Sequence, residues 1–280
     1  MTAGRRLTAA LLALALLWRV PAATARLDCG EMAPCAVATG SYHLAAPDAW
    51  DGTTPLPAVL FFHGYGSSGA DVVGDASLRD SVTARGYLLI APNGRSPGPG
   101  QRRSWAHQGS PFSGRDEEAF IAAVMADVAG RLPLRPDRVL VSGFSQGGSM
   151  AWHIACFAGR DFAAFAPVSG SFWRPHPESC PGGPVRLLHL HGFTDMVVPL
   201  EGRPIGDRWH QGDVFAAMAL MREVDGCGSE PDRITIDDGR RCRAWTECAL
   251  GGELELCLHD GGHKLPEGWL GRALDWFEAS

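Results

Sequence analysis

The chain has 280 residues, 45% of them apolar and 20% charged, which is long enough to bury a full core and too apolar for a disordered segment. Its formal charge is −6 and no basic block is present, so neither nucleic acid nor an anionic membrane is an expected partner.

The N-terminus reads as an address. Arg5 and Arg6 precede an apolar stretch from Leu7 to Leu17, and Pro21-Ala22-Ala23-Thr24-Ala25 ends in a small-x-small site. This pattern predicts a secretory signal peptide over residues 1–25, cleaved after Ala25, with residues 26–280 forming one domain. The apolar run is too short to span a bilayer comfortably and Arg19 interrupts its end, so no stable membrane anchor is expected. Arginine-rich, lysine-poor usage reads as the codon bias of a GC-rich bacterium. The expected location is therefore the periplasm or the outside of a bacterial cell.

Eight cysteines, an even number in a chain addressed for export, argue for disulfides. Cys29 and Cys35 are close enough to close a small terminal loop. Cys242 and Cys257 lie on two strand-like runs that flank residues 249–252 and nearly face each other. Pairing among Cys156, Cys180, Cys227 and Cys248 stays open. No Cys-x-x-Cys occurs and histidines do not cluster at ligand spacing, so no metal is expected.

Apolar runs then alternate with amphipathic segments. Strands are expected at residues 58–63, 87–91, 138–142, 163–168 and 185–191. Helices are expected at 71–85, 116–132, 149–157, 211–224 and 268–278. The strands are short and continuously apolar, as in a parallel sheet covered on both faces, and each passage between them is long enough for a crossover helix. Two late runs, 243–246 and 253–259, read as hairpin arms or sheet-edge strands. The expectation is an α/β fold with a mostly parallel, doubly wound sheet and helices on both faces. Two long Pro/Gly-rich stretches, 93–113 and 171–184, read as ordered surface loops.

The chemistry concentrates at Gly143-Phe144-Ser145-Gln146-Gly147, which follows the apolar run 139–142 and precedes a helix. A serine on a strand–turn–helix elbow needs glycines two residues either side, because side chains there would collide with it. Ser145 is thus the candidate nucleophile. A serine hydroxyl needs a base oriented by a third group. Asp195 stands in a short loop directly after the strand at 185–191, on the rim where open sheets place their sites. His263, in Gly261-Gly262-His263, follows the last strand and can turn back toward Ser145; His259 is the rival base but belongs to the strand. Oxyanion donors are expected from the amides of Gln146 and Tyr65, the latter in His63-Gly64-Tyr65-Gly66 after an early strand. Trp105 and Trp173, in the two long loops, are candidate substrate-binding residues, whereas Trp152 is expected in the core.

These motifs resemble the polyhydroxybutyrate depolymerase and feruloyl esterase group of the α/β-hydrolases, which overlaps carbohydrate esterase family 1. The resemblance covers roughly residues 41–280. It rests on Pro57-Ala58-Val59-Leu60-Phe61-Phe62-His63-Gly64, Ala91-Pro92-Asn93-Gly94, the Ser145 elbow, His189-Leu190-His191-Gly192, Asp195-Met196-Val197-Val198-Pro199, Asp225-Gly226-Cys227 and Gly261-Gly262-His263. It implies an exported, cofactor-free esterase with Ser145 as nucleophile, Asp195 as acid and His263 as base. The implied partner is an ester substrate, polymeric in some relatives, whether polyhydroxyalkanoate or plant cell-wall polysaccharide. One departure is visible: the group commonly follows its histidine with a small or polar residue and then Trp-Pro-Gly, where this chain has Lys264-Leu265-Pro266-Glu267, with Trp269 further on. Three alternatives remain beside a depolymerase-like esterase: a feruloyl or acetyl xylan esterase, a peptidase of the same fold, and a non-catalytic polymer-binding module.

Overall fold

A ten-stranded sheet organises the protein, described from a computed structural model over residues 28–112 and 114–279. The expected signal peptide lies outside the described residues. In chain order the elements are β1 (Cys35–Val37), β2 (Gly40–Ala45), β3 (Leu56–Phe62), α1 (Gly69–Gly74), α2 (Ala76–Thr83), β4 (Leu88–Pro92), α3 (Glu117–Arg131), β5 (Leu134–Phe144) and α4 (Gln146–Phe157). There follow β6 (Ala164–Val168), β7 (Arg186–Gly192), β8 (Pro204–Ile205), β9 (Trp209–His210), α5 (Val214–Asp225), β10 (Arg233–Asp237), β11 (Arg240–Trp245), β12 (Glu253–His259) and α6 (Trp269–Glu278). The sheet runs β1-β2-β4-β3-β5-β6-β7-β12-β11-β10, while β8 and β9 form a separate small ribbon. Pairing is parallel from β4 through β3, β5, β6 and β7 to β12, and antiparallel at both margins.

The continuous apolar strands are explained by two covering layers. Along β3, Ala58, Leu60 and Phe62 face one core with α3, α4 and α5, and Val59 and Phe61 face a second core with α1, α2 and α6. The expected α/β, mostly parallel, doubly wound arrangement is what the chain adopts.

Local differences have local causes. The single helix expected at 71–85 is two helices, because Asp75 leaves helical geometry after Gly74 and its carboxylate accepts the Leu78 amide, capping α2. Asp116 and Asp213 likewise cap α3 and α5, so those helices begin just after the aspartates. The marginal strands β1, β2 and β10 carry no sustained apolar run; every residue of β10 is exposed.

All eight cysteines are paired: Cys29–Cys35, Cys156–Cys180, Cys227–Cys248 and Cys242–Cys257. Cys242 and Cys257 are directly opposed across β11 and β12. With their sulfurs joined, they and Glu255 beside them offer no thiolate set to a metal. No helix among the described residues is long and apolar enough to cross a membrane.

Candidate active site

β5 ends at Phe144 and α4 starts at Gln146, so Ser145 alone makes the turn, at φ 59° and ψ −122°. A non-glycine residue at positive φ is strained and persists only where its surroundings hold it. Here the Ser145 amide donates to the Val168 carbonyl at 3.0 Å, and its carbonyl accepts from the Ser149 amide at 3.0 Å. The neighbouring glycines are required by contact. A Cβ on Gly147 would lie 2.0 Å from the Phe62 carbonyl oxygen, and one on Gly143 would lie 2.4 Å from that of Gly147.

His263 is carried by the loop between β12 and α6. Its Nε2 lies 2.9 Å from Ser145 Oγ, and its Nδ1 lies 2.7 Å from Asp195 Oδ2. Asp195 sits in the loop after β7, with 3% of its surface exposed. Its Oδ1 accepts the amides of Val197 and Val198, each at 2.8 Å. Burial pushes the Asp195 carboxyl up, but the His263 hydrogen bond and the Val198 and Val197 amides outweigh it and hold the group below its ordinary value. The two loops are laced together: the Phe193 amide donates to His259 O at 2.8 Å, and the Thr194 amide to Gly261 O at 3.1 Å. Gly192 permits this, since a Cβ there would lie 2.3 Å from the Gly262 oxygen. The rival histidine, His259, is turned to its own loop, its Nδ1 accepting the Gly261 amide at 2.9 Å.

Opposite the elbow, the turn after β3 brings Gly64 against Ser145, where a Cβ would lie 3.5 Å from Ser145 Cβ. His63 braces this turn. Its Nε2 accepts the Gly94 amide at 2.9 Å, which leaves Nδ1 to donate to Gly64 O at 2.7 Å. Burial lowers the His63 pKa to about 4, so the ring stays neutral. Tyr65 follows, and its amide donates to no backbone carbonyl among the described residues. Gln146 begins α4, and its side chain donates to Ser104 Oγ at 2.9 Å.

Ser145 opens into a cavity of about 370 Å³ whose wall includes Tyr65, Phe112, Trp173 and Gln211. Trp173 therefore stands where a substrate-binding residue is expected. Trp105 does not. It is fully buried, its Nε1 donates to His63 O at 2.9 Å, and Arg115 lies over its ring. The expectation that Trp105 faces substrate is corrected: loop position suggested a platform, but the loop folds inward and the indole supports the Tyr65 turn. Phe112 and Gln211 carry no motif in the sequence: Phe112 falls in the long loop expected at 93–113, whereas Gln211, expected to start a helix, lies before α5 and bridges Trp173. Trp269, downstream of the departure at Lys264, is core and buried in the layer of α6.

A family model described as alpha/beta hydrolase fold matches residues 57–180. Feruloyl esterase C of Emericella nidulans is 30% identical over 168 residues, covering 58% of this chain and 57% of that protein. Feruloyl esterase D of Neurospora crassa is 24% identical over 238 residues, covering 80% of this chain and 73% of that protein. The chain thus spans little more than half the length of several curated relatives it matches. Among solved structures, acetyl xylan esterase from Aspergillus awamori superposes with a TM-score of 0.61 at 14% identity, over 86% of this chain and 94% of that one. The Bacillus cereus carboxylesterase superposes with a TM-score of 0.56 at 12% identity, over 86% and 95%. The chain therefore has the α/β-hydrolase fold and is similar over part of its length to feruloyl esterases.

Proposed function

We propose that this protein is an exported serine esterase that hydrolyses carboxylic esters through an acyl-enzyme. The observation that carries the reading is the line from Ser145 Oγ to His263 Nε2 at 2.9 Å and from His263 Nδ1 to Asp195 Oδ2 at 2.7 Å. His263 takes the serine proton as Oγ attacks the ester carbonyl, and returns it to the leaving alcohol. Asp195 orients the ring and stabilises the imidazolium formed during attack. The amides of Gln146 and Tyr65 receive the oxyanion. Water, activated by the same histidine, then releases the acid.

The aromatic wall of the cavity and the names of the relatives favour an aromatic acyl ester over a purely aliphatic polyester. The substrate class proposed is a hydroxycinnamoyl ester, free or on a cell-wall polymer, with an acetyl ester or a polyhydroxyalkanoate as the alternatives. Four disulfides support an oxidising compartment, in keeping with a leader cleaved after Ala25.

The test is turnover of p-nitrophenyl butyrate and methyl ferulate by the mature protein and by Ser145→Ala. The variant is expected to keep its thermal transition and lose turnover. A fluorophosphonate probe is expected to label Ser145 alone. Equal turnover in the variant, or labelling at another serine, overturns the reading.

A further inference from the structure

Two further histidines, His189 and His191, sit on β7 just before the Asp195 loop, and both are fully buried. Strand alternation points both toward the layer that holds α4. They form a row of three contacts. Trp152 Nε1 on α4 donates to His189 Nδ1 at 3.2 Å, and His189 Nε2 lies 3.0 Å from His191 Nδ1. His191 Nε2 lies 2.7 Å from Val198 O and 3.6 Å from Asp195 Oδ2.

The row has a direction. An indole N–H can only donate. His189 Nδ1 must therefore accept, which places the His189 hydrogen on Nε2. That hydrogen meets His191 Nδ1, so Nδ1 must accept in turn. The His191 hydrogen is then on Nε2, between the Val198 carbonyl and the Asp195 carboxylate. For two neutral rings no other placement of hydrogens satisfies all three contacts. Neutrality has its own cause: burial drives both rings below the ordinary histidine value, and each lies near another histidine whose charge would oppose its own. Around His191 the facing titratable groups are His189 on its own strand, Asp195, His263 and His259.

We propose that His191 is a positioning residue for the catalytic acid, and that Trp152, through His189, dictates the tautomer by which it acts. The proposal rests on the serine esterase reading above. Val198 is the hinge of the arrangement. Its carbonyl accepts from His191 and its amide donates to Asp195 Oδ1, so the acid loop is pinned through one residue. The far end of the row is on the helix that begins just after Ser145. Nucleophile and acid are thereby registered to each other by a route that bypasses His263. Three polar groups in an apolar layer cost more than three aliphatic side chains would, and the row satisfies them, with the Pro167 backbone a further partner of His189.

The experiment compares wild type with His191→Phe, which keeps ring bulk and removes both nitrogens, and with His191→Gln, which restores a side-chain N–H. On p-nitrophenyl butyrate His191→Phe is expected to lose about ten- to a hundredfold in kcat with KM little changed. His191→Gln is expected to recover most of the loss. The acid limb of kcat/KM in His191→Phe is expected to move to higher pH, because the N–H dipole that lies 3.6 Å from the Asp195 carboxylate is gone and the carboxylate then raises His263. A role in packing alone predicts Phe at least as active as Gln and an unmoved profile; that result overturns the proposal. Nitrogen-15 spectra of the wild-type protein at neutral pH give a reading independent of how any variant folds. Both rings are expected as neutral Nε2–H tautomers, and an Nδ1–H tautomer or an imidazolium at His191 overturns the proposal. A wild type inactive on every ester tested refutes the esterase reading instead, whatever the tautomers are.

Discussion

Trp105 donates its indole N–H to the carbonyl of His63 at 2.9 Å and stacks obliquely on the His63 ring, with centroids 4.9 Å apart. A tryptophan from the long loop after β4 is thus a strut beneath the turn that presents Tyr65. That turn is held from three sides: by Trp105, by the Gly94 amide on His63 Nε2, and by the Gly66 amide on Arg103 O at 2.9 Å.

Trp105→Phe keeps the aromatic bulk and removes the strut's hydrogen bond, leaving a buried carbonyl unpaired at a cost of about 1–3 kcal/mol. The expected outcome is a lower melting temperature and a fall in kcat larger than any rise in KM, measured on p-nitrophenyl butyrate. A rise in KM with unchanged kcat would instead mark Trp105 as a substrate contact.

Asp195→Asn is expected to reduce kcat by about 10⁴-fold. An amide at this position can donate to His263 Nδ1 and so hold the ring in the wrong tautomer. The fold is expected to survive, because the side-chain oxygen that accepts the Val197 and Val198 amides is retained. Circular dichroism and thermal melting, compared with wild type, check the second half. Retention of more than a tenth of the activity contradicts the role given to this carboxylate.

Gly147→Ala is expected to abolish both activity and stable folding. The added Cβ would sit 2.0 Å from Phe62 O and 2.6 Å from His63 O, and both contacts are backbone that cannot yield without displacing β3. Gly271→Ala is the control: that glycine, in α6, has open space around its Cβ position and a negative φ. There alanine is expected to be neutral or to stabilise by about 1 kcal/mol. Soluble yield and urea midpoints distinguish the two.

Asp225 supplies a pH test of stability. Its Oδ1 accepts the Val185 amide at 3.1 Å, while its Oδ2 is buried without a hydrogen-bond partner. Burial pushes its pKa up from 3.8 to about 7, against a smaller opposing pull from the Val185 amide. The folded protein binds this proton more tightly than the unfolded chain does. The contribution to stability is therefore fully present below pH 3.8, falls as pH rises, and is lost above about 7. The shift sets a ceiling of roughly 4 kcal/mol. Asp225→Asn removes the titration, so the stability of the variant relative to wild type is expected to rise as pH climbs through that window. Urea denaturation of both proteins across the window measures it, and a constant difference between them refutes the assignment.

Much of the site was legible before any coordinates because its requirements are local. A serine between two glycines at the end of an apolar strand implies a tight turn, and the clashes at Gly143 and Gly147 are the contacts that the spacing anticipates. Asp195 and His263 could be singled out because each closely follows a buried strand, and parallel strands deliver their ends to one rim. The opposition of Cys242 and Cys257 was readable for a similar reason, since two arms on one turn must meet. Less was legible where segments distant in sequence decide the outcome. The marginal strands β1, β2 and β10 carry no sustained apolar run, so only pairing with β2, β4 and β11 respectively makes strands of them.

By itself the sequence determined the class of fold, the turn at Ser145 and the three side chains that meet there, because backbone sterics and apolar periodicity act within a few residues. Only the tertiary structure decided that Trp105 is a buried strut while Trp173 lines the cavity, that Cys156 joins Cys180 and Cys227 joins Cys248, and that Trp152, His189 and His191 form one row. Those outcomes depend on which groups packing brings within hydrogen-bonding or bonding distance. Burial and partnership are properties of the assembled layers, and no residue carries them alone.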